Sequence, residues 1–132
     1  VTNRSPLIRI PVTRGEGTRV ELRCPDSAAN PYLTLAVCLQ AGLDGIRNQI
    51  EPPAAVTENV FEMRMSQKNK LGIEELPADL GEALAEFEKD EYLQNVLGRH
   101  ATEKYIEAKK SEWADYRAQV SDWEINNYLY KI

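Results

Sequence analysis

Apolar positions along the chain change period once, near residue 30. Before that point they alternate, and after it they recur every three or four residues. In Arg19-Val20-Glu21-Leu22-Arg23, Val20 and Leu22 fall on one face of a strand, and Arg19, Glu21 and Arg23 on the other. Residues 7–10, stopped by Pro11, predict a partner strand. The connector Thr13-Arg14-Gly15-Glu16-Gly17-Thr18 carries two glycines that supply positive φ where a turn needs it. Residues 7–24 therefore predict a hairpin with a long loop. Two strands alone are marginal in water, so this hairpin is expected to belong to a larger antiparallel sheet.

Asn30 followed by Pro31 marks a helix start. The helix is predicted to run to about Asn48. Tyr32, Leu35, Ala36, Leu39, Leu43, Ile46 and Ile50 form its apolar stripe, widened by Leu33 and Val37. No charge appears before Asp44, which predicts burial nearly all round. Pro52-Pro53 ends it, and 51–65 reads as a loop. Ser66 is expected to cap a short helix through Leu71, closed by Gly72. Asp79 with Glu82 is a capping-box pattern, opening a helix that turns Leu80, Ala83, Leu84 and Phe87 inward. Further helices are predicted over 91–97, ended by Gly98, and over 101–118, burying Tyr105, Ile106, Trp113 and Tyr116. Ser121 and Glu124 predict a second capping box and a terminal helix ending near Tyr130. The fold class is α+β: an N-terminal hairpin (1–26) from a larger sheet, packed on a mainly helical body (27–132).

Charge sharpens the picture at the hairpin. The chain of 132 residues carries a net charge of −5, yet its first 23 residues hold five arginines, no lysine and only Glu16 and Glu21. A small basic segment on an acidic body suggests local anion binding. Arginine's rigid fork suits phosphate and carboxylate, and a glutamate beside it can ligate Mg²⁺ or Mn²⁺. The strand thus reads as one wall of a site for an anionic substrate and a metal; read blandly, it is an exposed strand with a salt-bridged outer face. Nucleic-acid binding is disfavoured, because the arginines are few and no aromatic platform interleaves them. No apolar run approaches a membrane span, and no signal-peptide pattern opens the chain. Cys24 and Cys38 lack metal or redox spacing, which predicts free thiols and a cytoplasmic setting. His100 reads as a surface residue, and the apolar end Tyr128-Leu129-Tyr130-Lys131-Ile132 as a docking segment. A start at Val1 without methionine suggests part of something larger.

The ordered set Asn3-Arg4-Ser5-Pro6-Leu7-Ile8-Arg9-Ile10-Pro11, Arg19-Val20-Glu21-Leu22-Arg23 and Pro25-Asp26-Ser27-Ala28-Ala29-Asn30-Pro31-Tyr32 resembles the C-terminal part of bacterial type I glutamine synthetase. Ala41-Gly42-Leu43-Asp44-Gly45-Ile46 and Asn59 fit the same family. The resemblance implies an ATP-dependent ligase joining ammonia to glutamate through γ-glutamyl phosphate, with Mg²⁺ or Mn²⁺. On the family pattern, Arg4 stabilises the transferring phosphoryl group, Arg9 and Arg19 hold ATP phosphates, Glu21 ligates metal and Arg23 binds the substrate glutamate. The enterobacterial branch has an adenylylated tyrosine where this chain has Phe61, which has no hydroxyl to modify. The resemblance also implies a stacked-ring homo-oligomer, a dodecamer at full length, with a possible protein regulator at the C-terminus. One metal ligand and four arginines do not complete a site, so these 132 residues alone are expected to be inactive. The competing expectation is a non-catalytic helical module for oligomerisation or regulator docking.

Overall fold

A computed structural model describes residues 3–129 and 131. The chain divides after Glu75 into two units, each treated by itself. Among the described residues it is mostly helical, with one two-stranded antiparallel sheet. The predicted α+β class holds at that level.

In the first unit, β1 (Ile8–Arg9) pairs with β2 (Glu21–Leu22), with Ile8 opposite Leu22 and Arg9 opposite Glu21. The Arg23 amide extends the ladder by donating to the Leu7 carbonyl at 3.0 Å. Both strands are shorter than their alternation predicts, because the connector folds into its own 3₁₀ turn, Gly15–Gly17, with Gly15 at φ +71°. α1 (Pro31–Arg47) begins where predicted: Asn30 Oδ1 accepts from the amides of Tyr32 (3.0 Å) and Leu33 (3.3 Å). It ends at a left-handed residue, Gln49 at φ +52°, with the Ile50 amide donating back to the Gly45 carbonyl at 2.9 Å.

One expectation fails outright. α1 has no buried residue: Tyr32 is 83% exposed, Leu35 69%, Leu39 63% and Ile46 75%. An apolar stripe is buried only when a second layer lies over it. Among the described residues no element supplies that layer, and the hairpin's own apolar pair, Ile8 and Leu22, is exposed as well. Residues 51–59 form no regular element before a 3₁₀ turn at Val60–Glu62. α2 (Met65–Lys70) has Arg64 as its N-cap, two residues before the predicted cap, so Ser66 lies inside the helix. Its first amide is held instead by Gln67, whose Oε1 accepts from the Arg64 amide at 3.0 Å.

The second unit packs α3 (Leu80–Lys89), α4 (Glu91–Leu97) and α5 (Arg99–Arg117) together. Asp79 Oδ1 caps α3 by accepting from the Glu82 amide at 2.8 Å, while Glu82 reaches one residue further back, to the Ala78 amide. Leu84 is the buried apolar anchor. Beside it Phe87 meets Tyr105 edge-on, with ring centroids 5.9 Å apart. Ala83 and Tyr116 are exposed rather than buried, and Tyr105 is 39% exposed; a single layer of three helices leaves its outer flanks in solvent. Gln94 Nε2 donates to the carbonyls of Phe87 and Glu88, closing the end of α3. Buried Thr102 donates to the Gln94 carbonyl at 2.9 Å. Ser121 and Glu124 form the predicted capping box at α6 (Asp122–Glu124), which continues as a π-helical turn, Ile125–Leu129. Tyr130 and Ile132 of the predicted docking segment lie outside the described residues.

Candidate anion and metal site on the hairpin

The register of the hairpin creates the site. Antiparallel partners point to the same face, so pairing Arg9 with Glu21 sets a cation against an anion across the strands. Arg9 Nη1 donates to Glu21 Oε2 at 2.7 Å. From its place two residues before Glu21, Arg19 donates through Nε (3.0 Å) and Nη2 (2.7 Å) to Glu21 Oε1. Both carboxylate oxygens are therefore engaged by guanidinium groups. The Arg9 hydrogen bond is the first cause that holds the Glu21 carboxyl below the usual glutamate range; desolvation opposes it, and Arg19 adds to it.

Two cations around one anion leave the trio with a positive balance. Arg9 Nε is buried and has no hydrogen-bond partner. An unpaired buried donor of this kind costs stability and marks a strained point in the cluster. Glu21 offers a hard oxygen ligand of the kind Mg²⁺ or Mn²⁺ accepts. Mg²⁺ requires near-octahedral oxygen coordination, however, and among the described residues no group of three His, Cys, Asp or Glu side chains is placed to hold a metal. The donor set fits one ligand of a shared site, not a whole one.

The other predicted site residues are placed differently. Arg23 is exposed just past β2, and it enters the hairpin only through its backbone amide. Arg4 is exposed on the segment leading into β1, and among the described residues its side chain makes no hydrogen bond or ion pair. The structure thus brings together Arg9, Arg19 and Glu21, and leaves Arg4 and Arg23 reaching outward. Cys24 is a free, exposed thiol, and His100 is exposed on α5.

Sequence reasoning missed the polar residues flanking Arg4. Asn3 and Ser5 bond to each other and to the stretch at 56–60, more than fifty positions away. The local Asn-x-Ser pattern signals a turn, but not its distant partner.

Comparison with known proteins covers nearly all of the chain. The model of the family described as glutamine synthetase, catalytic domain, matches residues 1–128. A glutamine synthetase of Clostridium saccharobutylicum is 51% identical over 129 residues, covering 98% of this chain and 29% of the relative. That of Methanocaldococcus jannaschii is 50% identical, covering 96% and 28%, and that of Thermotoga maritima 48% identical, covering 98% and 30%. The chain thus spans under a third of the length of these relatives. Among solved structures, a GmaS/ADP complex superposes with a TM-score of 0.82 at 38% identity, covering 96% of this chain and 27% of that one.

Proposed function

The chain belongs to the glutamine synthetase catalytic-domain family, and from that premise we propose that it supplies one wall of the active site of an ATP-dependent glutamate–ammonia ligase. The observation that carries this reading is the Arg9–Glu21–Arg19 cluster, an arginine-flanked carboxylate on the shared face of the hairpin. In the reaction the γ-carboxylate of glutamate attacks the γ-phosphorus of ATP and ADP leaves. Ammonia then displaces phosphate from the resulting γ-glutamyl phosphate. Positioning and charge stabilisation dominate such phosphoryl transfer. Arg9 and Arg19 hold the ATP phosphates through their guanidinium charge. Arg4 reaches the phosphoryl group in transit, and Arg23 grips the substrate glutamate. Glu21 is one ligand of a divalent cation, which when bound would offset phosphate charge.

The remaining ligands and the cover over the site come from parts of the relatives that this chain does not span. Subunits of a homo-oligomer, a stacked ring in this family, complete the arrangement in the cytoplasm; no described helix is long and apolar enough to cross a membrane. Near the C-terminus the exposed pair Trp123 and Tyr128, edge-on at 5.6 Å, is the surface a protein regulator would contact.

The test uses a hybrid in which these residues replace the matched 129 residues of the Clostridium saccharobutylicum enzyme. A charged hydrogen bond contributes about 1.5–3 kcal/mol, so Arg19→Gln should raise KM for ATP about ten- to hundredfold and leave KM for glutamate alone. Arg23→Gln should do the reverse. Equal effects on both substrates would remove the assignment. The 132-residue chain by itself should form no glutamine.

A further inference from the structure

Arg4 has a free side chain but a fixed backbone. Asn3 Nδ2 donates to the carbonyls of Val56 (3.0 Å) and Glu58 (2.7 Å). Asn3 Oδ1 accepts from the Ser5 amide (3.1 Å) and the Ser5 hydroxyl (2.8 Å). Ser5 Oγ in turn accepts from the Val60 amide at 2.9 Å. These bonds clamp the residues on either side of Arg4 to one distant stretch. Asn3 uses both ends of its amide at once, two donors to carbonyls and an acceptor to Ser5, a combination that neither a carboxylate nor a hydroxyl can reproduce. The far side of the clasp is itself held. Asn59 Oδ1 accepts from the Phe61 amide at 3.2 Å, and Asn59 Nδ2 donates to Glu62 Oε1 at 2.7 Å.

We propose that Asn3 and Ser5 are positioning residues for Arg4, and that the turn at Val60–Glu62 sets the point from which its guanidinium swings. The proposal rests on the role given to Arg4 above. A long side chain on a loose segment would lose its aim. The same side chain on a clamped backbone has only its own rotamers to settle. A misplacement of about 1 Å at a reacting centre costs about a hundredfold in rate, so a clasp of this kind acts on kcat rather than on substrate binding.

The experiment measures steady-state kinetics of the hybrid synthetase with Ser5→Ala, Asn3→Ala, Ser5→Thr and Arg4→Ala, singly, and with Ser5→Ala combined with Arg4→Ala. Ser5→Ala and Asn3→Ala should each lower kcat about ten- to hundredfold while KM for ATP and glutamate stays within about twofold. Ser5→Thr, which keeps the hydroxyl, should recover most of the rate. In the Arg4→Ala background, Ser5→Ala should cost nothing more, because the two residues act as one unit. Additive losses, or full kcat in Ser5→Ala, would overturn the clasp and leave the role of Arg4 standing. Full kcat in Arg4→Ala would instead remove that role. Where a variant assembles poorly, amide exchange decides: the Val60 amide should be protected in the parent hybrid, and equal exchange there and in Ser5→Ala would reject the proposal.

Discussion

Glu21 holds its charge between two guanidinium groups, and Arg9 above all keeps its carboxyl below the ordinary glutamate range. The contribution of this carboxylate to the hairpin is therefore complete above that range and is lost as pH falls through the lowered value. Carbon-13 titration of the Glu21 carboxyl should show its midpoint rising when Arg9 is changed to Gln. An unchanged midpoint would contradict the observed pairing. Between pH 6 and 8 Glu21 stays ionised, so any change in rate there comes from another group. Strand alternation alone places Arg19 and Glu21 on one face. It says nothing of Arg9, because which residue of β1 faces Glu21 depends on how the 3₁₀ turn takes up the connector. The same long-range blindness hid the Asn3–Ser5 clasp.

At the scale of elements, local signals were legible and burial was not. The caps Asn30, Asp79 and Ser121 are written into neighbouring residues, and each accepts the expected amide. Glu82, however, returns to the Ala78 amide rather than closing a box with Asp79, and Ser66 lies inside α2 instead of capping it. Asn30→Ala should lower the stability of α1 by about 1 kcal/mol, read from the helical signal in a denaturant titration, whereas Asn30→Asp should be close to neutral. Burial needs a partner surface, and for α1, Ala83 and Tyr116 the pattern of apolar residues overstated what covers them. Glycines make the contrast measurable. A Cβ at Gly81 would sit 2.5 Å from Trp113 Nε1 and 2.8 Å from its Cε2, so Gly81→Ala should destabilise the second unit by about 1–3 kcal/mol. At Gly42 a Cβ meets nothing within 4 Å, and Gly42→Ala should stabilise α1 by about 0.5–1 kcal/mol in this chain. If Gly81→Ala leaves the unfolding midpoint unchanged or raises it, the packing of α3 on α5 described above is wrong.

As a whole molecule, the chain exposes more apolar surface than a self-sufficient domain does. Leu84 is the buried large apolar side chain among the described residues, while Leu35, Leu39 and Ile46 of α1, with Ile8, Ile10 and Val20 of the hairpin, stand in solvent. The chain spans under a third of its relatives, and apolar faces such as those of α1 and the hairpin are stable only under a second layer. On its own the 132-residue protein should bind an apolar-surface dye strongly, and the hybrid synthetase should not. Equal dye binding by both would mean that those faces stay uncovered. The family resemblance was legible in the ordered hairpin residues, since charge, turn and helix-start signals all fall within the first thirty-two positions. The hairpin's place in a ligase site is decided by glutamine formation from glutamate, ammonia and ATP by the hybrid, with and without Glu21→Gln. The hybrid should be active and dependent on Mg²⁺ or Mn²⁺, and Glu21→Gln should lose at least about a hundredfold, since removing a charged site group costs about 3 kcal/mol or more. An assembled hybrid that makes no glutamine, or a Glu21→Gln variant as fast as its parent, would contradict that role.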